Sequence, residues 1–218
     1  MKMLRTIFWV LGLAIVFVSC KKQIDTITIS GKMVDSNQGI EIEGVRVELW
    51  AQKIESGIYS AHYDNYGIQI TDAKGDFSFN LENRIFASVK LTFYKSNYYN
   101  WDFEIDGDVL KNNNLYNETY QMMPKAWIQI SVKNVNPIDF KDYFDFRIMN
   151  GFTNCEFCCS GETMQFQGMD VDEDIVCQMI GHQDVNIRWN SSKGADRYGN
   201  IKLVFLPSFD TTRVEFNY

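Results

Sequence analysis

Across most of the chain from Ile27 to Phe216 apolar residues recur at every second position, and that period constrains the fold more than any other feature. Successive side chains of a strand point to opposite faces, so a two-residue period buries one face and wets the other. Ile27, Ile29 and Met33 show it first. Val45, Val47 and Leu49 follow, with Arg46 and Glu48 on the opposite face. The period returns in Tyr66 to Ile70, in Phe77, Phe79 and Leu81, and in Val89, Leu91 and Phe93. Tyr99, Trp101, Phe103 and Ile105 carry it on, and Leu115 to Met122 closes this half. No long helical period competes with it. The 16 Phe, 11 Tyr and 5 Trp are residues that suit a pleated, half-buried surface.

After Pro124 the pattern restarts. Ile128, Ile130 and Val132 alternate, then Phe144, Phe146 and Ile148, then Met164 and Phe166. Ile175, Cys177 and Met179 continue it, as do Val185, Ile187 and Trp189. Ile201, Leu203 and Phe205 give another strand, and Val214 with Phe216 the last. Turn residues separate them at Asn150-Gly151, Gly161, Gly181, Lys193-Gly194 and Tyr198-Gly-Asn200. Short strands at spacings of roughly 8–12 residues predict a β-sandwich. The expected fold is all-β, with two β-sandwich domains in tandem over residues 27–124 and 125–218. The chain shows no short repeat period and no Pro-rich linker.

The first 20 residues are different. Lys2 and Arg5 precede an apolar stretch of about 12 residues from Ile7 to Val18, followed by Ser19-Cys20. A membrane-spanning helix needs about 20 apolar residues, whereas a secretory apolar region has 7–15. The segment resembles a bacterial lipoprotein signal peptide, with Phe17 standing where that motif usually carries Leu, Val or Ile. The resemblance implies a signal peptide over residues 1–19, lipidation and cleavage at Cys20, and a tether over residues 20–26. Lys21-Lys22 resembles the lipoproteins of Bacteroidota. The expected location is the outer membrane, on its periplasmic or cell-surface face. Cleavage would remove two cations from a chain of net charge −7, which argues against nucleic acid as a partner.

Three elements of the first half occur in the order and rough spacing of carboxypeptidase-regulatory-like domains. They are Ile29-Ser-Gly-Lys-Met-Val-Asp35, Gly44-Val-Arg-Val-Glu-Leu49 and Thr71-Asp-Ala-Lys-Gly-Asp-Phe77. Those domains are transthyretin-like (prealbumin-like) sandwiches. The resemblance implies that the third element is a hairpin, with Gly75 at positive φ and Phe77 in the core. It implies an accessory module without peptidase activity. The stretch from Gln52 to Tyr66 is longer than the family pattern.

With Cys20 taken by lipid, Cys155, Cys158, Cys159 and Cys177 remain. An even number in an exported chain points to disulfides. A vicinal Cys158–Cys159 bridge is geometrically awkward, so Cys177 is expected to tie back to the cluster. The alternative is a zinc site from Cys155, Cys158, Cys177 and His182. Asp170-Val-Asp-Glu-Asp174 could hold calcium, yet Ile175 and Gly181 stand where an EF-hand needs its glycine and its bidentate glutamate. A solvated acidic loop is the expectation. His62 and His182 neighbour no recognisable nucleophile, and no hydrolase, metalloprotease or phosphate-loop motif is present. No catalysis and no cofactor are expected.

Tyr94-Lys-Ser-Asn-Tyr-Tyr-Asn-Trp101 is rich in aromatics, of which Tyr99 and Trp101 are expected in the core with Phe103. Tyr59, Tyr63, Tyr66 and Tyr98 are the candidate ligand-contact aromatics, since exposed ring faces stack on sugars or anchor proteins. The functional expectation is a lipid-anchored, non-catalytic binding or scaffolding protein of the cell envelope. The alternative is a glycan-binding accessory lipoprotein of an outer-membrane nutrient-uptake system. Expected partners are the membrane through the lipid, and envelope proteins or glycans.

Overall fold

The computed structural model describes residues 26–55, 58–82, 85–111, 113–153 and 155–218. The expected signal peptide, Cys20 and the tether up to residue 25 lie outside the described residues. Strands make up most of what is described, with a single helical turn among the described residues, and the strands form two sandwiches.

The first sandwich starts with β1 (Thr26–Asp35), whose burial alternates residue by residue. β1 lies between β5 (Asp76–Glu82), which it pairs antiparallel, and β8 (Leu115–Met122), which it pairs parallel. The facing sheet is antiparallel. It holds β2 (Arg46–Glu55), β6 (Phe86–Tyr94) and β7 (Trp101–Asp106) in that order. On the far side of β2 lie β3 (Ile58–Tyr59) and β4 (Asp64–Ile70). One helical turn, α1 (Gly107–Lys111), links β7 to β8. Ile27, Ile29, Phe77, Phe79, Val47, Leu49, Leu91 and Phe93 fill the space between the sheets. Gly31 interrupts the apolar period of β1 because the Tyr120 ring lies over it, where any Cβ would collide.

The Thr71–Phe77 element corrects one expectation. It is not a hairpin within a sheet, because β4 pairs β2 whereas β5 pairs β1 in the opposite sheet. The turn carries the chain across the core. Gly75 has φ +76°, and Phe77 is buried, as the resemblance implies. A Cβ at Gly75 would stand 2.5 Å from the Met33 carbonyl oxygen.

The second sandwich repeats this plan strand for strand. β9 (Lys125–Lys133) lies between β12 (Asp172–Ile180), antiparallel, and β15 (Thr211–Asn217), parallel. The facing sheet runs β11 (Thr163–Gln167), β10 (Tyr143–Ile148), β13 (Gln183–Lys193), β14 (Asp196–Leu206). Leaving out the two-residue β3, strands one, two, four, five, six, seven and eight of the first sandwich correspond to β9–β15. Ile128, Ile130, Phe144, Phe146, Ile187 and Phe216 make its core.

The two halves are tied at their junction. Tyr99 donates its backbone N–H to Met123 O, and Lys125 donates to Asn97 O. Asn37 Nδ2 reaches Gly181 O at 2.6 Å, and the Tyr98 ring meets Phe209 edge-on at 5.2 Å.

Candidate functional site

The outer face of the β2–β6–β7 sheet carries a surface groove. Its floor follows from register. Glu48 of β2 pairs with Thr92 of β6, Trp50 with Lys90, and Arg46 with Tyr94, while Thr92 pairs in turn with Asp102 of β7. These residues alternate with the core-facing Val47, Leu49, Leu91 and Phe93, so they point outward.

This face is polar, yet part of it is buried, because the chain after β3 folds back over it. Gln52 Nε2 donates to Ala61 O at 3.0 Å, and Ser88 Oγ bonds Gln52 Oε1 at 3.1 Å. Tyr63 plants its hydroxyl between Ser88 Oγ and Glu104 Oε1, at 2.7 Å from each. The Tyr63 hydroxyl, with Ser88 second, holds the Glu104 carboxyl below the usual carboxylate range. Residues 61–63 thus become one wall of the groove.

The groove has a volume of about 390 Å³ and is lined by Trp50, Tyr63, Lys90, Thr92, Tyr94 and Asp102, with Ala61 and His62 at the rim. Trp50 is fixed by its indole N–H to Glu48 Oε2 at 3.1 Å. Glu48 in turn holds Arg46 at 2.5 Å, whose guanidinium lies 5.7 Å from the Tyr94 ring centre. Lys90 lies 4.9 Å from the Tyr63 ring centre and 3.9 Å from Asp102. Three partly buried aromatics held by hydrogen bonds and cation–π contacts, beside the Lys90 ammonium and the Asp102 carboxylate, suit an amphipathic ring ligand. His62 is 83% exposed, with only Asp64 at 3.9 Å as an ionic neighbour, and no nucleophile–base pair forms here among the described residues.

Of the four candidate aromatics, Tyr63 alone is seen to line the groove. Tyr98 is a correction: it is 5% exposed, and its hydroxyl donates to Asp35 Oδ2 at 3.2 Å. Tyr66 is a second correction: its ring packs on the first core, edge-on to Phe86 at 5.5 Å. Tyr59 lies on β3 opposite Ile54, and its side chain is outside the described residues. Trp50 and Tyr94 went unassigned in the sequence. Their signal was present, since each occupies the polar phase of its strand: Trp50 follows Val47 and Leu49 out of step, and Tyr94 stands likewise to Leu91 and Phe93. Trp101 and Phe103 pack on the first core as expected. Tyr99 lies before β7 instead, in the junction, where burial pushes its hydroxyl up to about 12.

The cysteines form two disulfides, Cys155–Cys158 and Cys159–Cys177. That takes up the thiolates a zinc site on Cys155, Cys158 and Cys177 would need. His182 sits instead in the β12–β13 turn at φ +54°, edge-on to Phe205. The bridged segment is held to β12, where Cys159 N donates to Gln178 O at 3.0 Å, and Phe152 before it reaches the junction and packs on Tyr99 at 4.8 Å. Asp172 and Asp174 are exposed on β12, paired with Lys133 and Ser131. Among the described residues no acidic, histidine and cysteine group has the arrangement of a metal site.

No family model matches the chain, and no curated protein matches it. It is similar in part to several solved structures. The TIE protein of Bacillus anthracis is 8% identical over 88% of this chain and 34% of its own, with a TM-score of 0.38. The minor pilin GBS52 of Streptococcus agalactiae is 12% identical over 88% of this chain and 94% of its own, at 0.33. A streptococcal ancillary pilin is 11% identical over 89% and 63%, at 0.36. The chain thus spans about a third of the first of these proteins. The fold rests on the strand pairings and not on these likenesses.

Proposed function

We propose that this protein is a non-catalytic binding component of the bacterial cell envelope, lipid-anchored to the outer membrane at Cys20, and that its ligand is a glycan. The observation that carries the ligand reading is the groove, in which Trp50, Tyr63 and Tyr94 present ring surfaces around a polar floor. Sugar rings offer apolar faces to aromatics and hydroxyls to polar groups, and this surface supplies partners for both. Two disulfides support an oxidising compartment such as the periplasm or cell surface. The lipoprotein-like start supports the anchor.

Each part has its own test. Cys20→Ala should lose the acyl mass in intact mass spectrometry and leave the membrane fraction, or stay unprocessed. A wild type without lipid overturns the anchor. For the groove, the full chain should bind members of a polysaccharide panel saturably. Trp50→Ala with Tyr94→Ala should abolish that binding while leaving thermal unfolding within a few degrees of wild type. Binding that survives the double substitution overturns the site.

A further inference from the structure

Tyr94, which lines the groove, also lines a second cavity of about 450 Å³ together with Arg46, Lys95, Ser96, Asn100 and Lys125. It sits at the junction of the halves. Arg46 begins β2, Lys95 and Ser96 follow β6, and Lys125 begins β9. Three cations converge here in a chain of net charge −7. Of the three, Arg46 is paired, with the buried Glu48. Among the described residues neither Lys95 nor Lys125 has a carboxylate within ion-pair distance.

Both lysines are held in place all the same. Lys95 Nζ donates to Glu43 O at 2.7 Å, and Lys125 Nζ donates to Ser96 O at 3.3 Å while lying 5.5 Å from the Tyr99 ring centre. An ammonium has three donors, so each keeps two for a ligand. The backbone carbonyls orient the ammonium groups without neutralising them, which leaves a local positive field next to the aromatic groove.

We infer that the groove selects acidic saccharides. This rests on the glycan reading above. The sugar ring lies against Trp50, Tyr63 and Tyr94, and its anionic substituent, a carboxylate or a sulfate ester, sits between Lys95 and Lys125. Lysine suits this role as a compact point charge that does not demand one planar geometry.

The test compares polysaccharides that differ only in charge: polygalacturonate against its fully methyl-esterified form, and dextran sulfate against dextran. The two pairs separate a carboxylate from a sulfate. The full chain should bind the charged member of at least one pair about tenfold more tightly, the order that two half-exposed ion pairs supply. The margin should shrink as salt rises, because the Debye length falls from about 10 Å at 0.1 M to about 3 Å at 1 M. Lys95→Gln with Lys125→Gln should erase the margin and leave any binding of the neutral partner intact. Equal binding of charged and neutral members by the wild type overturns the anion site and leaves the groove standing. Failure to bind any polysaccharide overturns the glycan reading itself. Lysine-dependent binding to phosphatidylglycerol vesicles that ignores Trp50→Ala also overturns the inference, since it would make the cavity a lipid-headgroup site.

Discussion

The two sandwiches share one order of strand pairing and differ in almost everything placed on it. In each, the first strand lies between an antiparallel neighbour and the parallel last strand. In each, the outer face of the larger sheet bears a cavity. In the first half it is built on Trp50, Lys90, Tyr94 and Asp102. In the second it is built on Tyr143, Asp145, Asn190, Arg197 and Tyr198, again on the second, fifth and sixth strands of the plan. The first half folds a loop over its face and fixes it with Tyr63. The second fastens a loop with two disulfides at the opposite sheet. The strands at the β7 position differ most. β7 points Asp102, Glu104 and Asp106 outward, acids of the kind that guard a sheet edge, whereas β14 exposes Ile201, Leu203 and Phe205. A pairing plan depends on buried alternation alone, so faces and loops are free to diverge upon it.

The largest expected effect tests whether the halves unfold separately. Phe144 is 1% exposed and touches the rings of Trp189, Phe216 and Tyr218. Phe144→Ala should cost the second half about 3–5 kcal/mol. In urea, fluorescence changes at Trp189 should then precede those at Trp50 and Trp101, whereas one coincident transition would show the junction coupling both halves. Replacing Cys159 and Cys177 together by Ser opens a loop of sequence separation 18 and should lower stability by about 3 kcal/mol. The same change at Cys155 and Cys158, of separation 3, should do less, which urea midpoints of the two variants can check. In the first half, Gly75→Ala forces a side chain into positive φ against Met33 O, and a loss of about 1–2 kcal/mol or more is expected in thermal melts.

The smallest expected effect at neutral pH concerns Asp142, a buried carboxylate of the second half. The Asn134 side-chain amide, joined by the Ile138 and Asp139 backbone N–H groups, holds its pKa below the usual carboxylate range. A group with a depressed folded pKa contributes stability above its unfolded pKa and loses it as pH falls through the folded value. Asp72 does the same in the first half, held low by the Asp76 and Lys74 backbone N–H groups. Asp142→Asn should therefore flatten the acid limb of the second half alone, and Asp72→Asn that of the first, in urea midpoints followed from pH 6 to pH 2. Identical pH profiles for both variants and wild type would remove these carboxylates from the account.

Much of this was legible beforehand because it is local. The two-residue period marks strands, and every alternating run named from the sequence is a strand or borders one. The Gly75 turn and buried Phe77 followed from a short motif, and the tie from Cys177 to the cluster followed from cysteine count and spacing. Faces were less legible. In β14 the period of Ile201, Leu203 and Phe205 marks the strand, yet Val204 and Leu206 are the residues that turn inward. Two apolar phases compete there, and only the opposing sheet decides between them. Tyr66 and Tyr98 misled for a related reason. Both sit among polar neighbours in sequence, but Tyr66 packs on Phe86 of the first core, and Tyr98 packs on that core and on Phe209 of the second half.

By itself the sequence determined the all-β class and the two series of strands, and it pointed to disulfides among the four later cysteines. These depend on composition and on neighbours a few residues apart. The tertiary structure alone decided the shared pairing plan, the path of the Thr71–Phe77 turn between sheets, and the meeting of Trp50, Tyr63, Tyr94 and Lys125 in two adjacent cavities that share Tyr94. Those residues are far apart in the chain. Only strand register and the junction of the halves bring them together, and pairing between distant strands leaves no local period to read.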